Sequence, residues 1–337
     1  MSIHILLELV EGAYGGSHQF LKSLRTWLRL EGLYAEQPTF ADAFLFDSSQ
    51  DISRVARYRL KYPKRIFIHR LDGVATLYNH SSDPRDEIVL NANKWIADGT
   101  IFQSEWSKRE FMRLGLSLPN NCTTICNSPN PAFFHPKHVS KRIIGKGNKL
   151  KVVITSWSQN WRKGFADYQW IDQWLGLSNN NEKFSFTFVG NSPIGFVNIK
   201  MIPPLPPEKV GDVLRGNDIY LTATEKEACS NSLLEALSCG LPVIAKNDGG
   251  NPELVREGGL LFDNVSEIPE LLQLISANYA NVVEQITNPS FDKVAREYVD
   301  FVAQTPGRID SYPTYLGFVK SLKLVNKVLK SRIRTWV

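Results

Sequence analysis

The stretch IYLTATEKEACSNSLLEALSCGLPVIA, residues 219–245, contains a complete strand–loop–helix–strand pattern. Its first residues are apolar or β-branched, which indicates a buried strand. A polar loop follows, and the serine and asparagine near residue 230 are residue types that begin helices. Gly240 ends this helix, and Pro242 begins the next strand. A helix between two buried strands is the repeating unit of a parallel sheet.

Two carboxylates flank the start of this helix. Glu227 lies in the loop, and Glu235 lies within the helix. Between them, free N–H groups and the positive end of the helix point at one place, which suits a diphosphate. A carboxylate before the phosphate can hold sugar hydroxyls, and one beyond it can accept both hydroxyls of a ribose. The pattern is typical of a nucleotide-sugar site, although glutamates at this spacing also occur as ordinary solvated side chains.

The alternation of strands and helices continues outward through most of the chain. Short apolar runs predict strands at Ile3–Val10, Ala43–Phe46, Arg65–His69, Thr100–Gln103, Thr123–Cys126, Lys151–Thr155, Phe184–Val189, Asp218–Leu221 and Pro242–Ala245. Helical patterns lie at Ser17–Leu30, Ser104–Leu114 with Ser104 as N-cap, Phe165–Leu175, Pro207–Leu214, Ser230–Ser238 and Pro252–Arg256. Apolar strands that alternate with helices predict an α/β architecture, with parallel sheets covered on both faces.

One stretch without a periodic pattern divides the chain. Residues Asn127–Lys149 contain Pro129, Pro131 and Pro136, followed by the charged, glycine-rich residues 145–148. The strand–helix alternation begins again after it, and a length of 337 residues also favours two domains. We therefore expect two doubly wound domains, residues 1–140 and 141–310, joined by a short linker.

Composition and charge exclude several classes of protein. No run approaches the ~18 apolar residues that cross a bilayer, and the first residues lack the basic start of a signal peptide. The spacing of the four cysteines indicates neither a disulfide framework nor a zinc site, which favours the cytoplasm. The net charge of +5 permits an acidic substrate, an anionic membrane or nucleic acid, and selects none of them.

The glutamate pair and the residues after it resemble the signature of the retaining glycosyltransferases of family 4, which have the GT-B fold. That signature is E-x7-E followed by a small-residue helix and C/G-G-x-P-V, and Glu227 to Val243 match it closely. The resemblance implies two Rossmann-like domains that face a cleft, with a C-terminal helix, 311–337, that returns to the first domain. It also implies transfer of a hexose-type sugar, with retention, from a nucleotide-diphosphate sugar to a hydroxyl of a glycan or lipid-linked acceptor.

Further motifs extend the resemblance on the donor side. Trp161-Arg162-Lys163-Gly164 resembles the family's K-G motif, whose lysine contacts the donor diphosphate. The arginine that the family commonly has five residues before this lysine is Ser158 here, so either Arg162 or the hydroxyls of Ser156 and Ser158 supply that contact. The donor-binding residues implied by the resemblance are Gly15, Gly16, Ser156, Ser158, Arg162, Lys163, Gly190, Asn191, Glu227, Cys229, Ser230, Asn231, Ser232 and Glu235.

On the acceptor side, His69 resembles the family's histidine that faces the sugar. His69, Arg70 and Asp72 stand at the carboxyl end of a predicted strand and are the candidate acceptor-side residues. A histidine in such a place is also common as a structural residue, and both interpretations stay open. Two other segments match the family: Asn127–Pro136 resembles its N-G-V-D-x-x-x-F-x-P, and Asp248–Val255 resembles its G-G-x-x-E-x-V/I turn beside the donor.

The resemblance implies that Glu227, His69 and Lys163 are the catalytic residues. Glu227 would orient the sugar, Glu235 would hold the ribose, and His69 would contact sugar hydroxyls or the oxocarbenium-like centre. The leaving phosphate would help to deprotonate the acceptor, while fixed cations and the helix N-terminus stabilise its charge. We expect no cofactor and no metal, since these groups perform that role and no D-x-D motif is evident.

The C-terminal residues 312–337 contain no acidic side chain. Their basic and apolar residues fall on two faces of a predicted amphipathic helix, as found in proteins that bind anionic membranes. A family member's last helix, packed on the first domain, would carry the same pattern. We expect a cytoplasmic protein without nucleic acid as a partner, and this helix makes peripheral binding to the inner face of the membrane the alternative to free solution.

Two other functions stay open. A nucleotide-sugar epimerase or phosphorylase could use the same fold, although the acceptor-side residues and the form of the glutamate motif favour a transferase. A non-catalytic module could bind a membrane or nucleic acid through the basic tail, although the complete glutamate pair disfavours it.

Overall fold

The computed structural model describes residues 1–9, 16–79, 81–117, 121–136, 149–177 and 179–307. The predictions for Gly15 and for the C-terminal helix 311–337 concern residues outside these ranges. The predicted domain limits at residues 140 and 310 also lie outside them and stay predictions. The described residues contain two parallel sheets with helices around them, which confirms the α/β fold class.

The first sheet has five strands, all parallel, and their order across the sheet follows their order in the chain. They are β1 (Ile3–Ile5), β2 (Ala43–Asp47), β3 (Ile66–Leu71), β4 (Gly99–Phe102) and β5 (Cys122–Thr124). Every residue of β1, β2 and β4 is buried, as expected for strands of a sheet with two covered faces. β1 is shorter than the predicted Ile3–Val10, because it pairs with β2 at three positions only.

The second sheet has six parallel strands, and its order across the sheet reverses once. They are β6 (Leu150–Ser156), β7 (Phe184–Gly190), β8 (Lys200–Ile202), β9 (Ile219–Thr222), β10 (Val243–Lys246) and β11 (Gly259–Phe262). The order is β11-β10-β9-β6-β7-β8, so that the winding changes direction between β6 and β9. In open α/β sheets a ligand crevice forms outside the carboxyl ends of the strands at such a point.

Helices connect most of these strands. They are α1 (Gly16–Leu30), α2 (Ile52–Lys61), α3 (Ala75–Tyr78), α4 (Arg85–Ile96), α5 (Glu105–Arg113), α6 (Phe165–Leu175), α7 (Asn180–Lys183), α8 (Pro207–Arg215), α9 (Asn231–Ser238), α10 (Asn251–Val255), α11 (Ile268–Ala277), α12 (Tyr279–Glu284) and α13 (Phe291–Gln304). The N-cap prediction for Ser104 is confirmed, since its hydroxyl accepts a hydrogen bond from the N–H of Ser107 at 3.0 Å. Among the described residues, no helix combines the length and apolar character needed to span a bilayer.

The chain divides into two compact units. The first comprises the described parts of Met1–Val10, Leu21–Cys126 and Asp292–Val337, and the second those of Glu11–Phe20 and Asn127–Phe291. Each unit has its own apolar core. Phe44 lies fully buried in the first, where its ring contacts Tyr58, Tyr62 and Phe67. Phe188 is fully buried in the core of the second unit, where its ring contacts two aromatic rings of α6.

Candidate active site

The loop after β6 is ordered by its own polar side chains. The hydroxyl of Ser156 donates to the carbonyl of Ser158 at 2.9 Å, and the hydroxyl of Ser158 accepts from the N–H of Asn160 at 3.2 Å. Asn160 in turn caps a single 3₁₀ turn, Trp161–Lys163, by accepting from the N–H of Arg162. Both serine hydroxyls predicted to hold a phosphate therefore make bonds inside the loop.

Gly164 brings this loop against the residue that follows β9. Its φ is +92°, a conformation that L side chains rarely adopt, and a Cβ there would lie 2.3 Å from the Cβ of Ala223. The N–H of Glu225 donates to the carbonyl of Arg162 at 2.8 Å. The loops after β6 and β9, the two strands at the reversal of the sheet, are thus locked together.

Lys163 and Glu227 form an ion pair where these two loops meet. The Nζ of Lys163 lies 2.9 Å from the Oε1 of Glu227, and the side chains are 14% and 23% exposed. The second carboxylate oxygen, Oε2, is buried and has no hydrogen-bond partner in the described structure. A buried oxygen without a donor is costly, so Oε2 is the atom of this pair whose hydrogen bonding the described residues leave incomplete. The predicted pair of catalytic residues on the donor side is therefore brought together.

The turn after β10 packs against the backbone of Glu227. Gly249 has a φ of +64°, and a Cβ there would lie 2.5 Å from the carbonyl oxygen of Glu227. The N–H of Gly250 donates to that same carbonyl at 2.8 Å. Lys226 also has a positive φ and pairs with Asp248 at 2.9 Å. This close approach gives the glycine pair of the 248–255 segment a physical role.

Asn251 links the loops after β9 and β10 through hydrogen bonds. Its buried amide donates to the carbonyl oxygens of Thr224 and Lys246 at 3.0 and 3.1 Å. These two bonds fix the start of the loop that carries Glu227. The sequence interpretation assigned no role to Asn251, and the only signal was its place directly after the glycine pair.

Helix α9 begins at Asn231 with Ser230 in the N-cap position. The side chain of Ser230 does not accept from the helix backbone, because its hydroxyl lies 3.3 Å from that of Ser232. The first N–H groups of α9 consequently find no acceptor among the described residues. Cys229 and Ser230 are buried and so support the loop. The unsatisfied helix start that the sequence predicts is present.

Glu235 lies in α9 with only partial access to solvent. Burial raises the pKa of its carboxyl to about 8, so that the acid is mostly protonated at neutral pH. Tyr220 lies fully buried nearby, and its hydroxyl bonds to the hydroxyls of Thr155, at 3.2 Å, and Ser232. Burial raises the pKa of Tyr220 to about 12. A neutral carboxyl can donate one hydrogen bond and accept another.

The loop after β7 lies against the loop after β6. Gly190 has a φ of +127°, and a Cβ there would lie 1.8 Å from the carbonyl oxygen of Ser156. Asn191 donates from its backbone to that carbonyl at 2.8 Å, and from its side chain to the carbonyl of Trp157 at 2.9 Å. The side-chain amide of Asn191, one of the implied donor-binding residues, thus supports the loop after β6.

Gly16 is the first residue of α1, and it lies against Asn231 at the start of α9. A Cβ at Gly16 would lie 2.0 Å from the Nδ2 of Asn231. Only glycine fits at this position without displacing that side chain. One member of the predicted glycine pair, which belongs to the second unit like Asn231, therefore lies against the start of α9, and Gly15 lies outside the described residues.

His69 lies inside the first sheet, where its ring stacks on Phe46 with centroids 4.2 Å apart. It is fully buried, its Nε2 lies 2.9 Å from the carbonyl oxygen of Ser48, and its Nδ1 lies 3.2 Å from the amide nitrogen of Asn93. Burial lowers the pKa of His69 to about 4, so the ring is neutral at neutral pH. Its contact with a sugar stays a prediction, and these bonds favour the structural interpretation.

Arg70 is also fully buried, and its part on the acceptor side stays a prediction. Its Nη1 lies 2.5 Å from a carboxylate oxygen of Asp47, and its Nε donates to the hydroxyl of Tyr298 at 3.1 Å. Burial alone would lower the pKa of Arg70, but the Asp47 carboxylate raises it above its ordinary value. Asp72 is exposed, and its carboxylate accepts from the amide of Gln103 at 3.2 Å.

Within the described residues, no group of three or more His, Cys, Asp or Glu side chains is arranged to hold a metal ion. Three lysines bring positive charge to the carboxyl ends of the second sheet. Lys163, Lys226 and Lys246 each pair with a carboxylate there.

Residues 196–281 match the family model of the group 1 glycosyl transferases. A shorter stretch is 35% identical over 75 residues to the phosphatidylinositol N-acetylglucosaminyltransferase GPI3 subunit of Saccharomyces cerevisiae, which is 22% of this chain and 17% of the yeast protein. Another is 39% identical over 67 residues to D-inositol 3-phosphate glycosyltransferase of Rhodococcus opacus, 19% of this chain and 15% of that protein. The aligned parts thus span less than a fifth of the length of these curated relatives.

Solved structures are similar over much more of the chain. HepE of Anabaena, solved in complex with UDP-glucose, superposes with a TM-score of 0.61 at 17% identity, covering 98% of this chain and 100% of that one. Sucrose-phosphate synthase of Thermosynechococcus elongatus gives a TM-score of 0.61 at 16% identity, covering 88% and 82%. At these identities the likeness shows the fold. Residues 196–281 are thus similar to the group 1 glycosyl transferases, and the chain has the GT-B fold.

Proposed function

We propose that this protein is a retaining glycosyltransferase that moves a hexose-type sugar from a nucleotide-diphosphate sugar to a hydroxyl of a glycan or lipid-linked acceptor. The observation that carries the proposal is the Lys163–Glu227 pair with its unbonded oxygen, Oε2, beside the unsatisfied start of α9. Cation, carboxylate and free N–H groups are the three partners that a sugar diphosphate needs.

The diphosphate would lie at the start of α9, with Lys163 as its cation. As the bond between the sugar carbon and the phosphate oxygen breaks, negative charge grows on the leaving phosphate, and preorganised donors stabilise it there. That phosphate would accept the proton of the attacking hydroxyl. No metal is needed in this proposal, because the lysine and the helix start balance the charge.

The two glutamates would hold the two sugars of the donor. Oε2 of Glu227 would accept from a hydroxyl of the transferred sugar, which fixes the orientation of the reacting carbon. Glu235, protonated at neutral pH, would donate to one ribose hydroxyl and accept from the other. Since the Anabaena relative was solved with UDP-glucose, UDP-sugars are the first donors to test.

In the first unit, His69 would act as a positioning residue for the acceptor side. Its ring bonds to the carbonyl of Ser48, and the hydroxyl of Ser48 accepts from the N–H of Asp72 at 2.8 Å. Asp72, whose side chain is exposed, is then the acceptor-side group at the surface. Binding at the membrane through helix 311–337 stays part of the proposal.

The test begins with the thermal stability of the full chain in the presence of UDP, GDP and their sugars. A ligand of the folded state raises the midpoint as its concentration rises. The ligand that stabilises is then tested for transfer to candidate acceptors, with the product's anomeric configuration read by NMR. Turnover of a nucleotide sugar without acceptor would instead indicate an epimerase, and an unchanged rate in EDTA would support a metal-free reaction.

A matched pair of variants makes this test specific. Glu227→Gln removes the charge beside Lys163, and Glu225→Gln makes the same change at a 38%-exposed glutamate two residues earlier, 3.7 Å from Arg162. We expect Glu227→Gln to lower kcat/KM at least about a hundredfold and Glu225→Gln to change it only a few-fold. Equal effects, or no stabilising nucleotide at all, would overturn the proposal.

A further inference from the structure

A pair of asparagine side chains joins the segment after β5 to the start of α9. Asn127 is fully buried, and its Nδ2 donates to the Oδ1 of Asn231 at 3.0 Å. The next residue, Ser128, anchors the segment by donating to the carbonyl of Pro289 at 3.0 Å. The side-chain amide of Asn127 that donates to Asn231 is therefore fixed by a buried segment with its own hydrogen bonds.

This bond decides which way the amide of Asn231 faces. An amide group has its oxygen on one side and its two N–H donors on the other. With Oδ1 engaged by Asn127, Nδ2 turns away from it and lies against Gly16. Nδ2 has no acceptor among the described residues. Because Asn231 is the first residue of α9, these N–H donors add to the free N–H groups of the helix start.

We propose that Asn127 is a positioning residue for donor binding: it orients the amide of Asn231 so that Nδ2 donates to a phosphate oxygen of the nucleotide-diphosphate donor. This inference rests on the proposed function and adds to it. In the opposite orientation Oδ1 would face the phosphate, and two oxygens without a proton between them repel. The buried Asn127 thus acts on the ligand through Asn231, without touching it.

Isosteric substitutions reverse or remove the donor without changing the size of the side chains. In Asn127→Asp the carboxylate can only accept, so the Nδ2 of Asn231 turns toward it and Oδ1 turns toward the phosphate. In Asn231→Asp the bond from Asn127 persists, but the donor to the phosphate is gone. Asn130→Asp is the matched control, because Asn130 lies in the same segment and uses its side-chain oxygen as an acceptor, from the N–H of Ala132.

The experiment compares a ligand that has phosphates with one that lacks them. Affinities of the full-length variants for UDP and for uridine are measured by calorimetry, with GDP and guanosine in their place if the wild type prefers guanine. Asn127→Asp and Asn231→Asp should each weaken UDP binding about tenfold to a hundredfold and leave uridine binding within about twofold. Asn130→Asp should change neither, and the KM for the donor sugar should rise more than kcat falls.

Each other outcome has one meaning. Equal losses for UDP and uridine would show that Asn127 only supports the fold, and wild-type UDP affinity in Asn127→Asp would show that it does not position Asn231. Either result overturns the inference while the proposed function survives through UDP binding by the wild type. Absence of nucleotide binding by the wild type would instead overturn the proposed function. If Asn127→Asp does not fold, Asn231→Asp and Gly16→Ala, which crowds Nδ2, decide with the same two ligands.

Discussion

At the scale of single residues, the candidate donor site is organised around one lysine, and one carboxylate oxygen of its partner has no hydrogen bond to any described residue. Lys163 pairs with Glu227 at 2.9 Å and is mostly shielded from solvent. Arg162, its neighbour, is 40% exposed, and its guanidinium stays 3.7 Å from Glu225. Since a shielded charge acts more strongly on a phosphate than an exposed one, the two cations are unequal.

We therefore expect Lys163→Ala to lower kcat/KM for transfer about a hundredfold to a thousandfold, and Arg162→Ala to lower it less than about tenfold. Lys200→Ala, at an exposed lysine of β8, is the control and should have no effect. Steady-state kinetics with saturating acceptor measure all three. If Arg162→Ala lowers kcat/KM as much as Lys163→Ala does, Arg162 is a phosphate ligand and replaces the family arginine that is Ser158 in this chain.

A second residue-scale prediction concerns pH. Glu235 has a pKa raised from 4.5 to about 8 by burial, so folding favours its protonated form. This contribution to stability is complete below pH 4.5 and is lost as pH rises through about 8. The free energy of unfolding of the wild type should therefore fall relative to that of Glu235→Gln between pH 5 and 8, and the difference should level off above. Urea unfolding measures both proteins, and a pH-independent difference would contradict the prediction.

The residue scale also shows the limit of sequence interpretation. The glutamates and Lys163 could be found because their motif has a fixed spacing. The burial of Arg70 could not, because a charged residue at a strand end is normally solvated. The available signal was Asp47, which ends β2 directly opposite Arg70 in β3. Recognising it requires the register of the sheet, which the sequence does not contain.

At the scale of elements, glycines let loops from different strands approach closely. Gly164 is the clearest case, since it packs on Ala223 with a φ of +92°. Gly164→Ala should lower the free energy of unfolding by about 1–3 kcal/mol and also lower activity, because it would displace the preceding residue, Lys163. Gly195→Ala, where no atom lies within 4 Å of a Cβ, is the control. Urea unfolding and transfer rate measure both, and equal stability of the two variants would contradict the argument.

The strands with strong apolar patterns were predicted within a few residues, and the missed elements have physical reasons. Helix α2 buries Ile52, Val55, Ala56 and Arg59, which is a helical spacing. Its last buried position is an arginine, paired with Asp98 through two bonds of 2.9 and 3.0 Å, so the apolar stripe looks incomplete. Strand β8 lies at the sheet edge and is mostly exposed, so it has no apolar run to detect.

At the scale of the whole molecule, the described donor-site loops all belong to the second unit, while each unit has its own core. Phe188→Leu, two residues before Gly190 in β7, should lower the free energy of unfolding by about 1–3 kcal/mol and weaken nucleotide binding. Phe44→Leu should lower stability by a similar amount and leave nucleotide affinity unchanged. Urea unfolding and calorimetric titration at a temperature where both fold decide this. Equal losses of affinity would show that the donor site depends on both units.

The bond between Arg70 and Tyr298 has a consequence for biosynthesis. The guanidinium and the phenol that bonds to it are 228 residues apart, yet both belong to the first unit. At ribosomal speeds of about 5–20 residues per second, roughly 10 to 50 s pass between their emergence. Throughout that interval the nascent first sheet lacks the helix that closes over its arginine. Residues 150–262, which form the second sheet, are synthesised before that helix, so the first unit is the last to be completed although its strands are made first.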